Sequence, residues 1–368
     1  MQCGHFGCCG GCSYLDIPYG EELDLKKIKL REMLGVHGGL LETVVPSPRH
    51  AQYRNKMEFA FGDDGLDGNL TLGIRKKRSM YEVAEPSNCI LVPEVFKKIA
   101  AIVQDYFRDS GEPFYHRKKH TGSLRHLTIR YGEFTGEILV MLSTTSTLMT
   151  PLEPLVRQLD FATGFLHSVN DGIADVVRDD DIRLLHGRDF YKEELLGLDF
   201  EVGINSFFQT NSSGAEVLYR SVRDLARPGK LAYDLYCGTG TITRIVAPLF
   251  DRTIGIEKSR DAVEDAKRKA LPNTEFYAGD VYEIMKSHAR NPDLIILDPP
   301  RDGLNPKLIP IIAEIAPIQI IYVACKPQSL VRDMEIFGKF GYRPEKIKAV
   351  DMFPRTPHVE CVAVLENP

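Results

Sequence analysis

Cys325 combines a reactive side chain with a favourable place in the chain. It closely follows residues 318–323, an apolar run that predicts a buried strand, and it precedes Lys326 and a helix expected to begin near Gln328. A neighbouring cation and a helix N-terminus both favour the thiolate, so we expect a lowered pKa and a nucleophilic sulfur. The alternative is a buried structural cysteine, but the expected position near a ligand-binding loop favours a chemical role.

A glycine-rich loop marks the expected ligand site. Residues 231–236 predict a strand, Cys237-Gly-Thr-Gly240 a tight turn, and the residues after it a helix. This order opens a doubly wound sheet, in which ligands bind beyond the carboxyl ends of the strands. Thr243 stands where a dinucleotide-binding loop has its third glycine, so a pyrophosphate is not the natural ligand. Glu257 ends the next predicted strand and suits a ribose diol, which NAD and S-adenosylmethionine both carry.

Three more acidic side chains are expected at the same edge of the sheet. Asp280 and Asp298 each follow a predicted strand, and the two prolines after Asp298 fix the backbone at a corner that suits a planar heterocycle. Glu360 begins the last predicted strand and is a candidate general base. A solvent-exposed glutamate is the alternative for Glu360.

A thiolate, a base and a methyl donor in one site fit a known type of reaction. Carbon 5 of uracil is too weak a nucleophile to take a methyl group directly. Addition of a thiolate at carbon 6 creates an enolate that can attack a sulfonium methyl group. A base must then remove the carbon-5 proton so that the cysteine can leave. Cys325, Glu360 and the glycine loop provide one candidate for each role.

The first twelve residues contain four cysteines, namely Cys3, Cys8, Cys9 and Cys12. Cys9-Gly-Gly-Cys12 can direct two thiolates to one metal, and Cys89 is the natural distant ligand. A zinc site would more usually have two Cys-x-x-Cys pairs, whereas three clustered cysteines and a remote one favour an iron–sulfur cluster. Free thiols are the third possibility. The crowding of cysteines leads us to expect a metal site.

Composition places the chain among ordinary globular proteins. It has 368 residues, of which 43% are hydrophobic and 26% charged, and a formal net charge of -5. We find neither a signal peptide nor an apolar run of membrane-spanning length, so we expect a cytoplasmic protein without membrane contact. Eight cysteines without an export signal indicate thiols or metal ligands rather than disulfides. We also expect a monomer.

We expect two domains, covering residues 1–204 and 205–368. The first contains the cysteines, a charged helix over residues 19–34, and a β-rich α+β fold with two basic clusters. These clusters, residues 75–78 and residues 116–120 with the following Arg125 and His126, are either a phosphate-binding surface or solvated loop edges. Alternating strands and helices in the second domain predict a doubly wound, Rossmann-like α/β fold that closes with a hairpin.

Together these residues resemble the RNA 5-methyluridine (uracil-C5) methyltransferases. This family contains the bacterial 23S rRNA uracil-5 methyltransferases and the tRNA T-loop uracil-5 methyltransferase. The resemblance runs from Cys3 to Leu365. The motifs that carry it are the set Cys3, Cys9, Cys12 and Cys89, Tyr53-Arg-Asn-Lys56, Ser206-Phe-Phe-Gln-Thr-Asn211, Asp234-Leu-Tyr-Cys-Gly-Thr-Gly240, Asp298-Pro-Pro-Arg301, Tyr322-Val-Ala-Cys325 and Asp351-Met-Phe-Pro-Arg-Thr-Pro-His-Val-Glu360.

The resemblance implies a role for each candidate residue. Cys325 would be the nucleophile and Glu360 the proton-abstracting base. The residues implied for S-adenosylmethionine are Gln209, Asp234, Gly238, Glu257, Asp280 and Asp298. Those implied for the flipped uracil are Phe207, Gln209, Asp298 and Arg301. The implied ligands of a [4Fe–4S] cluster are Cys3, Cys9, Cys12 and Cys89.

The resemblance also implies structured RNA as the partner. The four-cysteine set favours 23S rRNA, although tRNA remains possible because some tRNA enzymes of the family carry a cluster. The chain begins at the cysteines without the small RNA-binding barrel of many relatives, so RNA affinity is expected from the central domain. Lys326 replaces the usual Asn after the nucleophile. The alternatives from other classes are an NAD-dependent oxidoreductase and a non-catalytic iron–sulfur RNA-binding protein.

Overall fold

The structure is a computed structural model that describes residues 3–65, 68–173, 181–288 and 291–367. It divides into two compact units. The N-terminal unit comprises Met1–Asp16 and Arg49–Ser213, and the C-terminal unit comprises Ile17–Pro48 and Gly214–Pro368. The division therefore differs from the expected boundary after residue 204, and it assigns residues 17–48 to the C-terminal unit.

Strands and helices alternate along much of the chain. The strands are β1 (Leu41–Val45), β2 (Lys56–Asp63), β3 (Leu70–Arg75), β4 (Val83–Ala84), β5 (Leu124–Tyr131), β6 (Ile138–Thr144), β7 (Gly164–Val169), β8 (Ile182–Gly187), β9 (Phe190–Leu195), β10 (Leu198–Gly203), β11 (Gly229–Leu235), β12 (Phe250–Glu257), β13 (Thr274–Ala278), β14 (Leu294–Leu297), β15 (Gln319–Ala324), β16 (Arg343–Val350) and β17 (Glu360–Glu366). The α-helices are α1 (Tyr19–Leu34), α2 (Glu94–Arg108), α3 (Glu153–Gln158), α4 (Ser212–Leu225), α5 (Thr241–Val246), α6 (Arg260–Arg268), α7 (Val281–His288), α8 (Leu308–Ile315) and α9 (Pro327–Gly338). Short 3-10 helices cover Gly35–Leu40 and Ala247–Leu249.

The N-terminal unit is built on a mixed sheet. Within the described ranges its strand order is β4-β3-β2-β5-β6-β7-β8, with β6 and β7 parallel and the other pairs antiparallel. The alternating residues Phe59 and Leu127 lie in one apolar core with Phe96 and Val103 of α2. Apolar residues alternate over 57–61 and 127–131, a pattern that predicts a strand in each range, and this sheet confirms both strands. A separate hairpin joins β9 to β10.

The C-terminal unit has the predicted doubly wound sheet. Over the described residues its order is β1-β16-β17-β15-β14-β11-β12-β13. The strands from β15 to β13 in this order are parallel to their neighbours, while β17 is antiparallel to both β15 and β16. The predicted closing hairpin is therefore confirmed. Strand order reverses between β11 and β14, and in such sheets ligands bind at this switch point beyond the carboxyl ends.

β14 is apolar along its whole length because neighbours cover both faces of the sheet there. All of β14, with the sequence Leu-Ile-Ile-Leu, is buried, as expected of a parallel strand inside a sheet. The helix that follows β12 begins at a defined point, since the Ser259 side chain accepts a hydrogen bond from Ala262 N at 3.3 Å. These features fix where each strand ends and therefore where the side chains of the site lie.

The helix predicted over residues 19–34 is present as α1, but its buried face differs from the prediction. Leu30 and Leu34 lie in the core of the C-terminal unit, and β1 extends that unit's sheet along β16. The apolar stripe Leu23, Leu30, Met33 and Leu34 predicts the buried face of this helix. Met33 is nevertheless exposed, whereas Glu22 and Lys26 are buried. Packing of α1 on this core is the physical reason why residues 17–48 belong to the C-terminal unit. Among the described residues, no helix has the length and apolar character needed to cross a bilayer.

Candidate active site

Cys325 and Glu360 stand beside each other at the carboxyl edge of the large sheet. Antiparallel pairing of β15 with β17 ends at the pair Ala324 and Cys361. Cys325 is the next residue after β15, and Glu360 is the first residue of β17. Glu360 is 5% exposed, and Cys325 is half-buried. The register of two neighbouring strands therefore brings together the two residues that were predicted to do the chemistry.

The charged groups around Cys325 are mainly acidic, whereas the sequence predicted a neighbouring cation and a helix N-terminus. Burial raises the pKa of the thiol, the Glu360 and Asp298 carboxylates raise it further, and only the Arg301 guanidinium among these charged neighbours opposes them. The predicted lowering of this pKa is wrong, because two nearby acids and burial outweigh the helix N-terminus. Lys326 is exposed and is not among the causes of the shift. At neutral pH the free protein therefore holds Cys325 mainly as the thiol.

Asp298, Arg301 and Glu360 form one electrostatic group with Cys325. Burial raises the pKa of Glu360 well above its usual range, with Asp298 adding to the shift and Arg301 opposing it. Burial likewise raises the pKa of Asp298, to about 7. Two acids with raised pKa values beside a thiol form a site that can hold and exchange protons near neutral pH.

Asp234 lies near the end of β11, and only one of its two carboxylate oxygens accepts a hydrogen bond from the described residues. It is fully buried, and Thr243 Oγ1 donates to its Oδ2 at 2.6 Å. No group in the described part of the chain donates to Asp234 Oδ1. Burial raises the pKa of Asp234 to about 7. A buried acceptor without a partner indicates that a ligand donor completes this site.

Thr243 is a contributor whose role the sequence analysis missed. It was read only as the absence of a third glycine, yet its hydroxyl orients Asp234. The substitution of a hydrogen-bonding residue for that glycine was the available signal. Gly240, with φ +77, is required for a different reason, because a Cβ there would lie 2.5 Å from the Phe276 ring. At Gly238, with φ +54, a Cβ would meet no described atom within 4 Å, which leaves open space over the loop.

Glu257 is the last residue of β12, and Asp280 lies two residues beyond the end of β13. Glu257 accepts hydrogen bonds from Gly238 N at 3.2 Å and from Ser259 N at 2.8 Å, so its carboxylate is held against the glycine loop. Asp280 Oδ1 accepts from Tyr282 N at 2.9 Å at the start of α7. Asp234, Gly238, Glu257 and Asp280 thus line the carboxyl ends of three adjacent parallel strands, as predicted.

These residues fit S-adenosylmethionine. The unsatisfied Asp234 Oδ1 can accept from an ammonium group or a hydroxyl, and the oriented Glu257 carboxylate suits a ribose diol. The open space at Gly238 allows a ligand to approach the backbone closely. Thr243, in place of the third glycine of a dinucleotide loop, does not favour NAD.

Phe207 and Gln209 belong to the N-terminal unit. Their segment is anchored within that unit. Arg130 Nε donates to Ile204 O at 2.7 Å, and Asn55 Nδ2 donates to Gln209 O at 2.9 Å. The Phe207 side chain is 80% exposed, so a large apolar ring faces solvent on a loop that is anchored by these hydrogen bonds. The sequence motif around Asn55 was noted, whereas the buried Arg130 was missed because a strand arginine normally faces solvent.

The cysteines predicted to bind a metal are partly gathered in the N-terminal unit. Cys12 packs with Cys89 in a small apolar cluster that includes Tyr53 and Leu91. Burial raises the pKa of the Cys89 thiol, and the nearby Cys3 and Cys9 raise it further. In the described ranges, however, no three His, Cys, Asp or Glu side chains are arranged to hold a metal ion. The donor chemistry suits an iron–sulfur cluster, but the side chains as they stand do not form its ligand set.

The two basic clusters lie next to each other. The Tyr81 ring, just beyond residues 75–78, stacks on His116 with ring centroids 4.2 Å apart. Tyr81 Oη also accepts from Lys118 N at 3.3 Å. We call residues 75–78 and 116–120 the basic surface. Arg125 and His126 are not part of it, because both are buried, with Arg125 lying 3.8 Å over the Tyr115 ring.

Comparison with known proteins agrees with this geometry. Residues 282–368 match the family described as tRNA (Uracil-5-)-methyltransferase. An uncharacterized RNA methyltransferase of Clostridium tetani is 42% identical, with all of this chain and 84% of the relative covered. A second, from Caldanaerobacter subterraneus, is also 42% identical over 99% of this chain and 84% of its own.

One solved structure extends the likeness to the fold. It is the tRNA (uracil-54, C5)-methyltransferase of Pyrococcus abyssi in complex with S-adenosyl-L-homocysteine, which is 30% identical. The match covers 97% of this chain and 86% of that protein, with a TM-score of 0.81. With the cofactor-binding edge and the paired Cys325 and Glu360, these similarities show that the chain belongs to the S-adenosylmethionine-dependent RNA uracil-5 methyltransferase family.

Proposed function

We propose that this protein methylates carbon 5 of one uridine in a structured RNA, with Cys325 as nucleophile and Glu360 as base. The observation that carries the proposal is that Cys325 and Glu360 both lie one residue beyond the last pair of β15 and β17, Ala324 and Cys361. The Glu360 carboxylate raises the pKa of the Cys325 thiol, and this influence supports a shared site. A binding protein without catalysis has no need for a buried acid beside a thiol.

The chain's own residues account for each proton and bond in the proposed reaction. Asp298, whose pKa is raised to about 7, accepts the thiol proton as the Cys325 sulfur bonds to carbon 6 of the uracil, which leaves the Glu360 carboxylate free for the later step. S-adenosylmethionine, when bound, supplies the methyl group that carbon 5 takes. Glu360 then removes the carbon-5 proton, and that electron pair restores the ring double bond. The bond from carbon 6 to sulfur breaks, and Cys325 leaves as thiolate.

The remaining site residues have binding roles in this proposal. Asp298 holds the pyrimidine ring, and Arg301 stabilises the negative charge that develops on the ring after thiolate addition. Asp234, Gly238, Glu257 and Asp280 hold the cofactor. The exposed Phe207 suits stacking on an everted base, and Gln209 suits hydrogen bonds to the uracil and the methyl donor. The target must leave its stack or loop to reach Cys325.

Two RNA classes remain candidates for the substrate. The set Cys3, Cys9, Cys12 and Cys89 supports 23S rRNA, as its family resemblance implies. A tRNA uridine is favoured by a different observation, the likeness to the tRNA (uracil-54, C5)-methyltransferase of Pyrococcus abyssi. We propose 23S rRNA as the first substrate to test and tRNA as the second.

We further propose that the N-terminal unit binds RNA through the basic surface. Its exposed members Lys77, Lys118 and Lys119 can contact phosphates, and the Tyr81–His116 stack holds the two loops together. The cysteine segment lies along one of these loops, since Lys77 N donates to Cys8 O at 2.7 Å. We propose that Cys3, Cys9, Cys12 and Cys89 bind a [4Fe–4S] cluster that braces this region.

Mapping of 5-methyluridine tests the function directly. Unmodified rRNA and tRNA are incubated separately with the protein and labelled S-adenosylmethionine, and the modified position is located by mass spectrometry. We expect label in 5-methyluridine of one RNA class, and none with Cys325→Ala. Full-rate methylation by Cys325→Ala would remove the covalent step from the proposal. Thermal protection by NAD, with none from S-adenosylmethionine, would instead favour the oxidoreductase alternative.

A further inference from the structure

A buried group of charges in the C-terminal unit has no part in the reaction described above. Lys26 of α1 is 3% exposed, and its Nζ donates to Glu22 Oε1 at 2.8 Å and to Asp351 Oδ1 at 2.7 Å. Both carboxylates are fully buried. Tyr19 Oη donates to the second Asp351 oxygen at 3.0 Å. Burying a charge costs free energy of folding unless the charge is paired, and a buried ion pair often stabilises a fold no more than apolar residues would. This group therefore calls for a role other than fold stability.

The same group holds the segment 351–359 through its backbone. Lys26 Nζ donates to Phe353 O at 3.3 Å, and Arg355 N donates to Glu22 Oε1 at 2.7 Å. Arg355 Nη1 also donates to Glu22 Oε2 at 3.4 Å. Arg355 has φ +68, a left-handed conformation that is unfavourable for a residue other than glycine. Such backbone strain persists only where surrounding contacts enforce it, and here α1 provides those contacts.

Segment 351–359 leads directly to Glu360. It follows β16 and closes the β16–β17 hairpin, whose pairing reaches Val350 opposite Glu360. Glu360 is therefore the first paired residue after the strained segment. The segment therefore connects directly to the backbone of Glu360, whereas Cys325 follows a different strand, β15.

We propose that Lys26 and Glu22 are positioning residues that set the placement of Glu360 by holding segment 351–359. The inference rests on the proposed role of Glu360 as base. It assigns Lys26 and Glu22 a part in the second half of the reaction, proton removal and release of Cys325.

The test uses the full-length protein with RNA and S-adenosylmethionine. Lys26→Met alone would remove the ammonium group from between two buried carboxylates, so the main variant is Glu22→Leu with Lys26→Met, which removes one charge of each sign. Glu22→Gln, which keeps an acceptor oxygen for Lys26 and for Arg355 N, is the matched control. Glu360→Gln is the reference for loss of the base. Tyr19→Phe removes the hydrogen bond to Asp351 but no charge, and it is therefore a milder change in the same group of buried charges. It provides a second measurement of kcat and adduct level if the double variant does not fold.

The double variant is expected to lower kcat about 10- to 100-fold with KM for RNA and cofactor nearly unchanged. It is also expected to accumulate a covalent enzyme–RNA adduct on denaturing gels, as Glu360→Gln does. Tyr19→Phe should shift both readings less in the same direction, and Glu22→Gln should match the wild type.

Wild-type kcat in the folded double variant would overturn the inference, and so would a lowered kcat without adduct while Glu360→Gln accumulates it. If the double variant does not fold, unchanged kcat and adduct level in Tyr19→Phe would overturn it. The absence of adduct from Glu360→Gln, with methylation retained by Cys325→Ala, would instead reject the proposed function itself.

Discussion

Cys325 and Glu360 are neighbours across β15 and β17 because the antiparallel register of these strands ends one residue before them, at Ala324 and Cys361. Backbone pairing thus brings the two residues to one edge of a large sheet, and in our proposal segment 351–359 completes the placement of Glu360. Residues carried at the ends of strands are held more precisely than residues within loops.

The raised pKa of Cys325 predicts a rate that increases with pH. Because the thiolate is the nucleophile, the rate of adduct formation should rise up to about tenfold per pH unit through the neutral range. Single-turnover adduct formation measured across this range checks the expectation. Lys326→Asn is the matched control and should leave the profile unchanged, since Lys326 is exposed and does not shift the thiol. A flat profile would mean that the thiolate is already formed.

Asp234→Asn is expected to weaken cofactor binding and to change how stability depends on pH. Loss of the carboxylate should lower S-adenosylmethionine affinity about tenfold or more, measured by calorimetry. In the free protein the pKa of Asp234 is raised from 3.8 to about 7, so folding favours its protonated form. That contribution to stability is complete below 3.8 and is lost as pH rises through about 7.

Asparagine mimics the protonated acid, so Asp234→Asn should be more stable than the wild type above about pH 7 and similar to it near pH 4. Thermal melts of the two free proteins across this range measure the difference. Thr243→Val is the control, because it removes the hydrogen bond to Asp234 but keeps the acid. A pH-independent difference between Asp234→Asn and the wild type would contradict the raised pKa.

The basic surface predicts a specific salt dependence of RNA binding. Lys77→Ala combined with Lys119→Ala should weaken binding and reduce the slope of log K against log salt by about 2, one per lost phosphate contact. Lys339→Ala, an exposed lysine of the C-terminal unit, is the matched control. Filter binding at several salt concentrations provides the slopes. An unchanged slope in the double variant would exclude this surface as the RNA contact.

The proposed cluster predicts a brown protein containing iron and sulfide after anaerobic purification. Cys89→Ser should lose both, while Cys8→Ser should retain them, because Cys8 is exposed and lies outside the proposed ligand set. Elemental analysis and visible absorption make the comparison. A colourless protein with stoichiometric zinc would show that a different metal occupies the cysteines.

The alternation of strands and helices in the C-terminal unit was predictable because each predicted strand is a short apolar run that ends at a polar or glycine residue. The same pattern placed Glu257, Asp280, Asp298 and Cys325 at one edge, whereas Asp234 was implied only by the family resemblance. What the pattern could not show is burial of charge by distant partners. Lys26 resembles a solvated helix residue until Asp351, more than three hundred residues later, is placed beside it.

The predicted direction of the pKa shift of Cys325 was wrong for a related reason. Sequence neighbours, namely Lys326 and the start of α9, suggested a lowered value. The larger influences, Glu360 and Asp298, come from other strands and become visible only when the sheet is assembled. The hydrogen bonds by which Arg130 and Asn55 hold the segment of Phe207 could not be predicted either, although the motif around Asn55 was noted. Their partners are backbone carbonyls that are remote in sequence.

Mass spectrometry of the Glu360→Gln protein after incubation with RNA and S-adenosylmethionine tests the central claim most directly. If Cys325 attacks the ring and Glu360 releases it, the peptide containing Cys325 should carry a nucleotide whose uracil already bears the new methyl group. A Glu360→Gln protein that turns over at the wild-type rate, with an unmodified Cys325 peptide throughout, would contradict the account.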